Sequence, residues 1–138
     1  FGPRQSPEGE AGVCSILTGM MLRGKQPTLF GYGEPLRDYV YVGDIARGSI
    51  LALDKGDGMT INLGSGKGTS VRELFAAIKE ILGYPGEPLL APLRPGEVDR
   101  VYITGDRAAE VHGWRPEGGL REGLQYTVKH IRKEFEQG

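Results

Sequence analysis

Met59-Thr60-Ile61-Asn62-Leu63-Gly64-Ser65-Gly66-Lys67-Gly68-Thr69-Ser70-Val71-Arg72-Glu73 is the stretch that decides the fold. Met59–Leu63 reads as a strand. A glycine-rich turn follows. Ser70 and Glu73 then stand at capping-box spacing, in which the Ser hydroxyl accepts from the Glu amide and the Glu carboxylate accepts from the Ser amide. Behind them Val71, Leu74, Phe75, Ile78, Ile81 and Leu82 recur at helical spacing until Gly83 stops the run. Strand, turn and helix in direct succession make the chain α/β.

Working outward, the same signals repeat. Downstream, a proline-rich loop from Tyr84 to Gly96 holds a short strand at Leu89–Ala91, and Val101–Ile103 is another. Asp106 is expected to cap a short helix ending at Gly113, and Leu120, Leu124, Val128, Ile131 and Phe135 line a final helix. Upstream, Asp44 is expected to cap a helix running to Asp54, with Ala46, Ile50 and Leu53 on one face. Arg37–Val42 alternates as a strand, Leu29-Phe30 is a shorter one, and Val13, Ile16, Leu17 and Met20 mark a first helix from Gly12 to Arg23 that Gly24 ends. Residues 1–12 are loop by composition. The result is a small mixed α/β domain of helices and short strands, with strands too few and too short for a self-contained doubly wound sheet.

At 138 residues the chain suits one domain. A formal net charge of −1 gives no cationic field for nucleic acid or an anionic membrane. Cys14 is the only cysteine, which excludes an internal disulfide and a cysteine-rich zinc site. No apolar run approaches the roughly 18 residues of a membrane span, so a cytoplasmic setting is expected. Phe1-Gly2-Pro3-Arg4-Gln5 reads as the middle of a loop, with no initiator Met, and leads us to expect a piece of a longer protein.

The chemistry-bearing residues are sparse. Gly64–Ser70 sits where a phosphate loop would, yet Gly68 follows Lys67 where a Walker loop needs Ser or Thr, and Thr69 stands where a dinucleotide fingerprint needs Gly. No Tyr is followed four residues on by Lys, and no G-x-x-G-x-x-G occurs, so no hydride-transfer dyad or cofactor loop is present. His112 and His130 have no ligand-spaced partners, so no metal is expected; Trp114 reads as a core plug and Cys14 as a buried small hydrophobe. Arg37 heads a β-rich segment after a turn, and Arg94 sits in the stiff loop Pro92–Glu97. Arginine grips phosphate through a planar fork. On residue type alone, two solvated charges paired with Asp38 and Glu97 are the favoured reading, and a diphosphate clamp is the alternative.

The order of short motifs resembles a known family. Phe1-Gly2-Pro3-Arg4-Gln5, Pro27-Thr28-Leu29-Phe30-Gly31, Arg37-Asp38-Tyr39-Val40-Tyr41-Val42-Gly43-Asp44, Asn62-Leu63-Gly64, Arg94-Pro95-Gly96-Glu97 and Gly113-Trp114-Arg115-Pro116 are similar to the C-terminal part of the extended short-chain dehydrogenase/reductases, nearest the UDP-glucose 4-epimerase group. The resemblance implies that residues 1–138 are the nucleotide-sugar-binding portion of such an enzyme. The N-terminal Rossmann domain, which holds most of the NAD and carries the Tyr-x-x-x-Lys dyad, would lie outside this sequence, so the chain alone would be inactive. Carried over by motif, Arg37 and Arg94 would clamp the diphosphate of a UDP-sugar. Thr28 and Phe30 would meet the uracil, Glu97 the ribose hydroxyls, and Gly12 and Val13 the sugar diphosphate. Phe1 and Pro3 would touch the nicotinamide end.

Val13 departs from the Asn-Leu pair that many members of the group place there. Nucleotide-sugar 4,6-dehydratases and UDP-glucuronate decarboxylases share most of these motifs, and a stand-alone nucleotide-sugar-binding module is the reading from another class. The resemblance also implies that the 44–82 region normally packs on the Rossmann sheet. Its absence would leave an edge and an apolar face that self-associate or pair with the missing half.

Overall fold

A computed structural model describes residues 1–8 and 12–137. Helix α1 (Val13–Leu22) is followed by strand β1 (Thr28–Phe30), a single 3-10 turn at Gly31–Gly33, strand β2 (Leu36–Arg37) and helix α2 (Val42–Leu51). Strand β3 (Thr69–Ser70) runs directly into helix α3 (Val71–Leu82). Strands β4 (Leu89–Ala91) and β5 (Arg100–Val101), helix α4 (Asp106–His112) and helix α5 (Leu120–Gln137) complete the chain. The architecture is mixed α/β, as the motif order implies.

The core forms where α1, α3 and α5 meet. Leu17, Leu74, Phe75, Ile78, Leu124 and Val128 pack there with Leu29 from β1. The helix boundaries follow local chemistry. The capping box at Ser70 and Glu73 is complete, and Gly83 closes α3 in the left-handed conformation. Past the end of α1, Gly24 has φ +66° while its amide and that of Lys25 bond back to Met21 and Met20.

Two small sheets frame one side of this core. β1 and β4 pair in parallel with Leu29 opposite Leu90. β2 lies between β3, antiparallel, and β5, parallel. The β1–β4 pairing brings the Arg94 loop, which follows β4, alongside β1, and Arg37 on β2 lines the same cleft from the other sheet.

Several expectations are corrected. Arg37–Val42 is not one strand: only Leu36–Arg37 pairs, and Val42 already begins α2. Met59–Leu63 forms no strand, because no segment among the described residues pairs with its backbone. The Val101–Ile103 strand shifts to Arg100–Val101. Asp44 is not the cap of α2, whose cap position is Tyr41. Asp44 is buried instead and accepts from the amides of Glu117 and Gly118 at 3.0 and 3.1 Å and from Arg47 at 3.1 Å, while its carbonyl accepts the Trp114 indole N–H at 2.8 Å. Asp106 lies inside α4 behind Gly105, and its amide donates to the Thr104 hydroxyl at 3.2 Å. The helix ends at Leu51 and not Asp54, and the apolar residues expected on its face are open: Ile50 is 65% exposed and Leu53, just past the helix, 83%. Trp114 and Cys14 are both buried, as read from sequence.

Candidate functional site

β1 and α1 supply one wall of a cleft of about 480 Å³, and the loop after β4 supplies the other. Its lining brings together Val13, Thr28, Phe30, Arg37, Arg94 and Glu97. Six of the seven substrate-binding residues expected from the motifs thus share one space, and Gly12 lies in the adjoining cleft.

Each side chain is held by something specific. The Arg94 guanidinium lies over the Phe30 ring at 4.2 Å from its centroid. Its Nε donates to Glu97 Oε1 at 2.8 Å, and its Nη2 donates to the same oxygen. This is the pairing that residue type alone favours for Arg94. Arg37 does not pair with Asp38. Its Nη1 donates to the carbonyls of Leu36 at 2.9 Å and Asp99 at 3.4 Å, leaving its Nε and Nη2 without a hydrogen-bond partner among the described residues. The Glu97 carboxyl is held below the ordinary carboxylate range, chiefly by the Arg94 hydrogen bond, with the more distant Arg37 charge adding to it. One end of the cleft therefore carries two guanidinium groups against one carboxylate. The rest is largely apolar, with Ile16, Leu17 and Met20 lining it beside Phe30. A planar ring and an attached dianion suit these two ends.

A tight turn shapes the approach. Gly31 has φ +59°, and a Cβ there would meet Pro35 at 2.7 Å and Leu93 at 3.1 Å, so glycine alone lets the turn and the Arg94 loop come this near.

A second cleft of about 430 Å³ adjoins the first, sharing Val13 and Tyr39. Phe1, Gly12, Cys14, Leu63 and Ile103 line it. Pro3 lines neither cleft, so of the two residues expected at a nicotinamide end only Phe1 reaches this space. Asp38 also lines it, and its carboxylate accepts from the Ser65 amide at 3.0 Å, the Ser65 hydroxyl at 2.5 Å and the Ile103 amide at 3.3 Å. That carboxylate, just past β2, ties the Ser65 loop to the segment that follows β5 at Ile103. Burial pushes the Cys14 thiol up to about 12, so it stays a neutral, unreactive wall. Burial, with Cys14 beside it, also raises the Tyr39 phenol above its ordinary value. Gln5 and Tyr39 were not singled out from the sequence. In the sequence Tyr39 reads as a β-former within the Arg37–Asp44 motif and Gln5 as part of a loop, and nothing local tells that either lines a cleft.

Comparison with known proteins gives this geometry a setting. A model described as the NAD dependent epimerase/dehydratase family matches residues 1–64. A putative UDP-glucose 4-epimerase of Methanocaldococcus jannaschii is 44% identical over 132 residues, covering 96% of this chain and 43% of the relative. The UDP-glucose 4-epimerase of Mycolicibacterium smegmatis is 42% identical over 133 residues, 96% of this chain and 42% of its own. The crystal structure of the Thermotoga maritima UDP-glucose 4-epimerase with UDP-glucose superposes with a TM-score of 0.94 at 48% identity, over 98% of this chain and 44% of that one. The chain therefore spans less than half the length of these relatives, and along nearly all of its own length it is similar to UDP-glucose 4-epimerases, with the NAD dependent epimerase/dehydratase family model matching residues 1–64.

Proposed function

We propose that this chain is the nucleotide-sugar-binding portion of a UDP-glucose 4-epimerase-like enzyme, a C-terminal unit whose 44–82 region packs on a Rossmann domain. The observation that carries the reading is the convergence of Arg37 and Arg94, 57 positions apart, on one cleft beside Phe30. Phe30 stacks on the base and the Thr28 backbone meets its edge. The two guanidinium groups hold the diphosphate, Arg94 exchanging Glu97 for phosphate oxygens. Glu97 is then free to accept from the ribose hydroxyls, and Gly12 and Val13 border the glycosyl end.

The chain's part in the reaction is positioning. Epimerisation at C4 needs the glycosyl ring to turn over between hydride removal and hydride return. That requires a firmly held nucleotide and a loosely held sugar, so binding energy belongs on the remote part of the substrate. The charged and aromatic groups of the first cleft supply it there. NAD, when bound, supplies the acceptor and donor of hydride. Of this chain's residues Phe1 fits it, as an apolar wall of the second cleft. With neither a G-x-x-G-x-x-G loop nor a Tyr-x-x-x-Lys dyad in its sequence, the chain alone is inactive.

The test is calorimetric titration of UDP into the protein expressed from its complete reading frame. A charge-assisted hydrogen bond is worth roughly 1.5–3 kcal/mol, so Arg94→Ala should weaken UDP by about tenfold or more. Unchanged affinity contradicts the assignment.

A further inference from the structure

Asp38 stands next to Arg37 in the chain and does not pair with it. A carboxylate beside a guanidinium is its natural partner. Here the carboxylate instead accepts from the Ser65 amide at 3.0 Å, the Ser65 hydroxyl at 2.5 Å and the Ile103 amide at 3.3 Å. Arg37 therefore keeps its Nε and Nη2 without a hydrogen-bond partner among the described residues.

The donors that Asp38 does take give it reach. The β2–β5 ladder ends where Arg37 meets Val101. Two residues further on, Ile103 is held at both of its backbone polar groups, its amide by Asp38 and its carbonyl by the Gly66 amide at 2.9 Å. A Cβ at Gly64 would lie 2.2 Å from that carbonyl oxygen, so glycine permits this approach. At the start of the same segment the Asp99 carbonyl accepts from the Leu36 amide at 2.9 Å and from Arg37 Nη1 at 3.4 Å. Asp99 also follows Glu97 by two residues, so the segment anchors the end of the Arg94 loop. Asp38 thus holds one end of a segment whose other end orients Arg37.

We propose that Asp38 is a positioning residue of the diphosphate clamp: by holding Ile103 it fixes segment 99–103, and through the Asp99 carbonyl it sets the Arg37 guanidinium for phosphate. This rests on the UDP reading of the first cleft. The charge and the position of Asp38 act in opposite directions. A negative charge one residue from the clamp opposes anion binding, whereas the hold on Ile103 favours it.

That opposition makes Asp38→Asn diagnostic. The variant keeps the size, removes the charge and turns an N–H group toward donors, so one tie is lost. Electrostatics alone predicts tighter UDP, and positioning predicts weaker UDP. The experiment is a double-mutant cycle, with UDP titrated calorimetrically into wild type, Asp38→Asn, Arg37→Ala and the double variant, each from the complete reading frame. Asp38→Asn should weaken UDP by about three- to tenfold, the worth of one net hydrogen bond. In the Arg37→Ala background the same change should alter UDP affinity by less than about twofold, because the group it positions is gone. Should Asp38→Asn not fold, Ser65→Ala, which removes one donor to Asp38 and nothing from the clamp, carries the same comparison between the two backgrounds. Unchanged or tighter UDP in Asp38→Asn, with Arg37→Ala weakened, overturns the proposal while the UDP reading stands. An equal loss in both backgrounds also overturns it, since Asp38 would then support the fold at large and not Arg37. Wild type that binds no UDP removes both readings.

Discussion

Asp44 is buried and charged at once. Burial opposes its ionisation, but the amides of Glu117 and Gly118 and the Arg47 guanidinium outweigh that and hold the carboxyl below its ordinary 3.8. Arg47 in turn donates to the Arg115 carbonyl and lies 5.9 Å from the centroid of Trp114. One carboxylate therefore fastens α2 to the loop after α4. Asp44→Ala should cost about 3 kcal/mol, the usual effect of removing one member of a buried ionic network. Denaturation of the 138-residue chain, followed by the fluorescence of Trp114, its one tryptophan, measures it. Because the folded carboxyl is more acidic than the unfolded one, its contribution is fully present above pH 3.8 and is lost as pH falls through the folded value. The gap between wild type and Asp44→Asn should be flat near neutrality and narrow below pH 3.8. A gap that widens in acid would contradict this account of the ion.

At the scale of elements, α3 is the most locally determined. Its cap, its apolar stripe and its glycine stop agree with one another. Ser70→Ala should cost about 1 kcal/mol, read as a lower denaturation midpoint, and an unchanged midpoint would mean that tertiary packing alone holds the helix start. The helices α1, α3 and α5 were legible because periodicity and capping are written in neighbouring residues. The strands were less so. β2, β3 and β5 are two residues each and exist only through one another, so propensity over-read Arg37–Val42 and Met59–Leu63 and passed over Thr69–Ser70. Asp44 and Asp106 looked like caps because that preference is local, while their actual bonds come from Glu117, Gly118 and Thr104. The site divides in the same way. Arg37, Arg94 and Phe30 could be named from motif order, whereas Gln5 and Tyr39 emerge only when distant segments enclose a cleft.

For the whole molecule, the open surface matters most. Ile50 and Leu53, three residues apart, protrude at the end of α2, and Met59 is 57% exposed. Apolar residues placed together on a surface invite a partner. The chain matches only 43% of its Methanocaldococcus jannaschii relative, so a complete protein of that length has ample further chain to cover them. We expect the chain by itself to sediment above its 15.0 kDa mass and to bind ANS, and Leu53→Lys to lessen both. A monomer that binds no dye would contradict this. The central claim concerns the two guanidinium groups that line the first cleft. Its most direct measurement is a crystal structure of the complete protein with UDP. The account predicts Arg37 and Arg94 nitrogens both about 2.7–3.0 Å from diphosphate oxygens, with the base against Phe30. A diphosphate bound elsewhere, or touched by neither arginine, would contradict it.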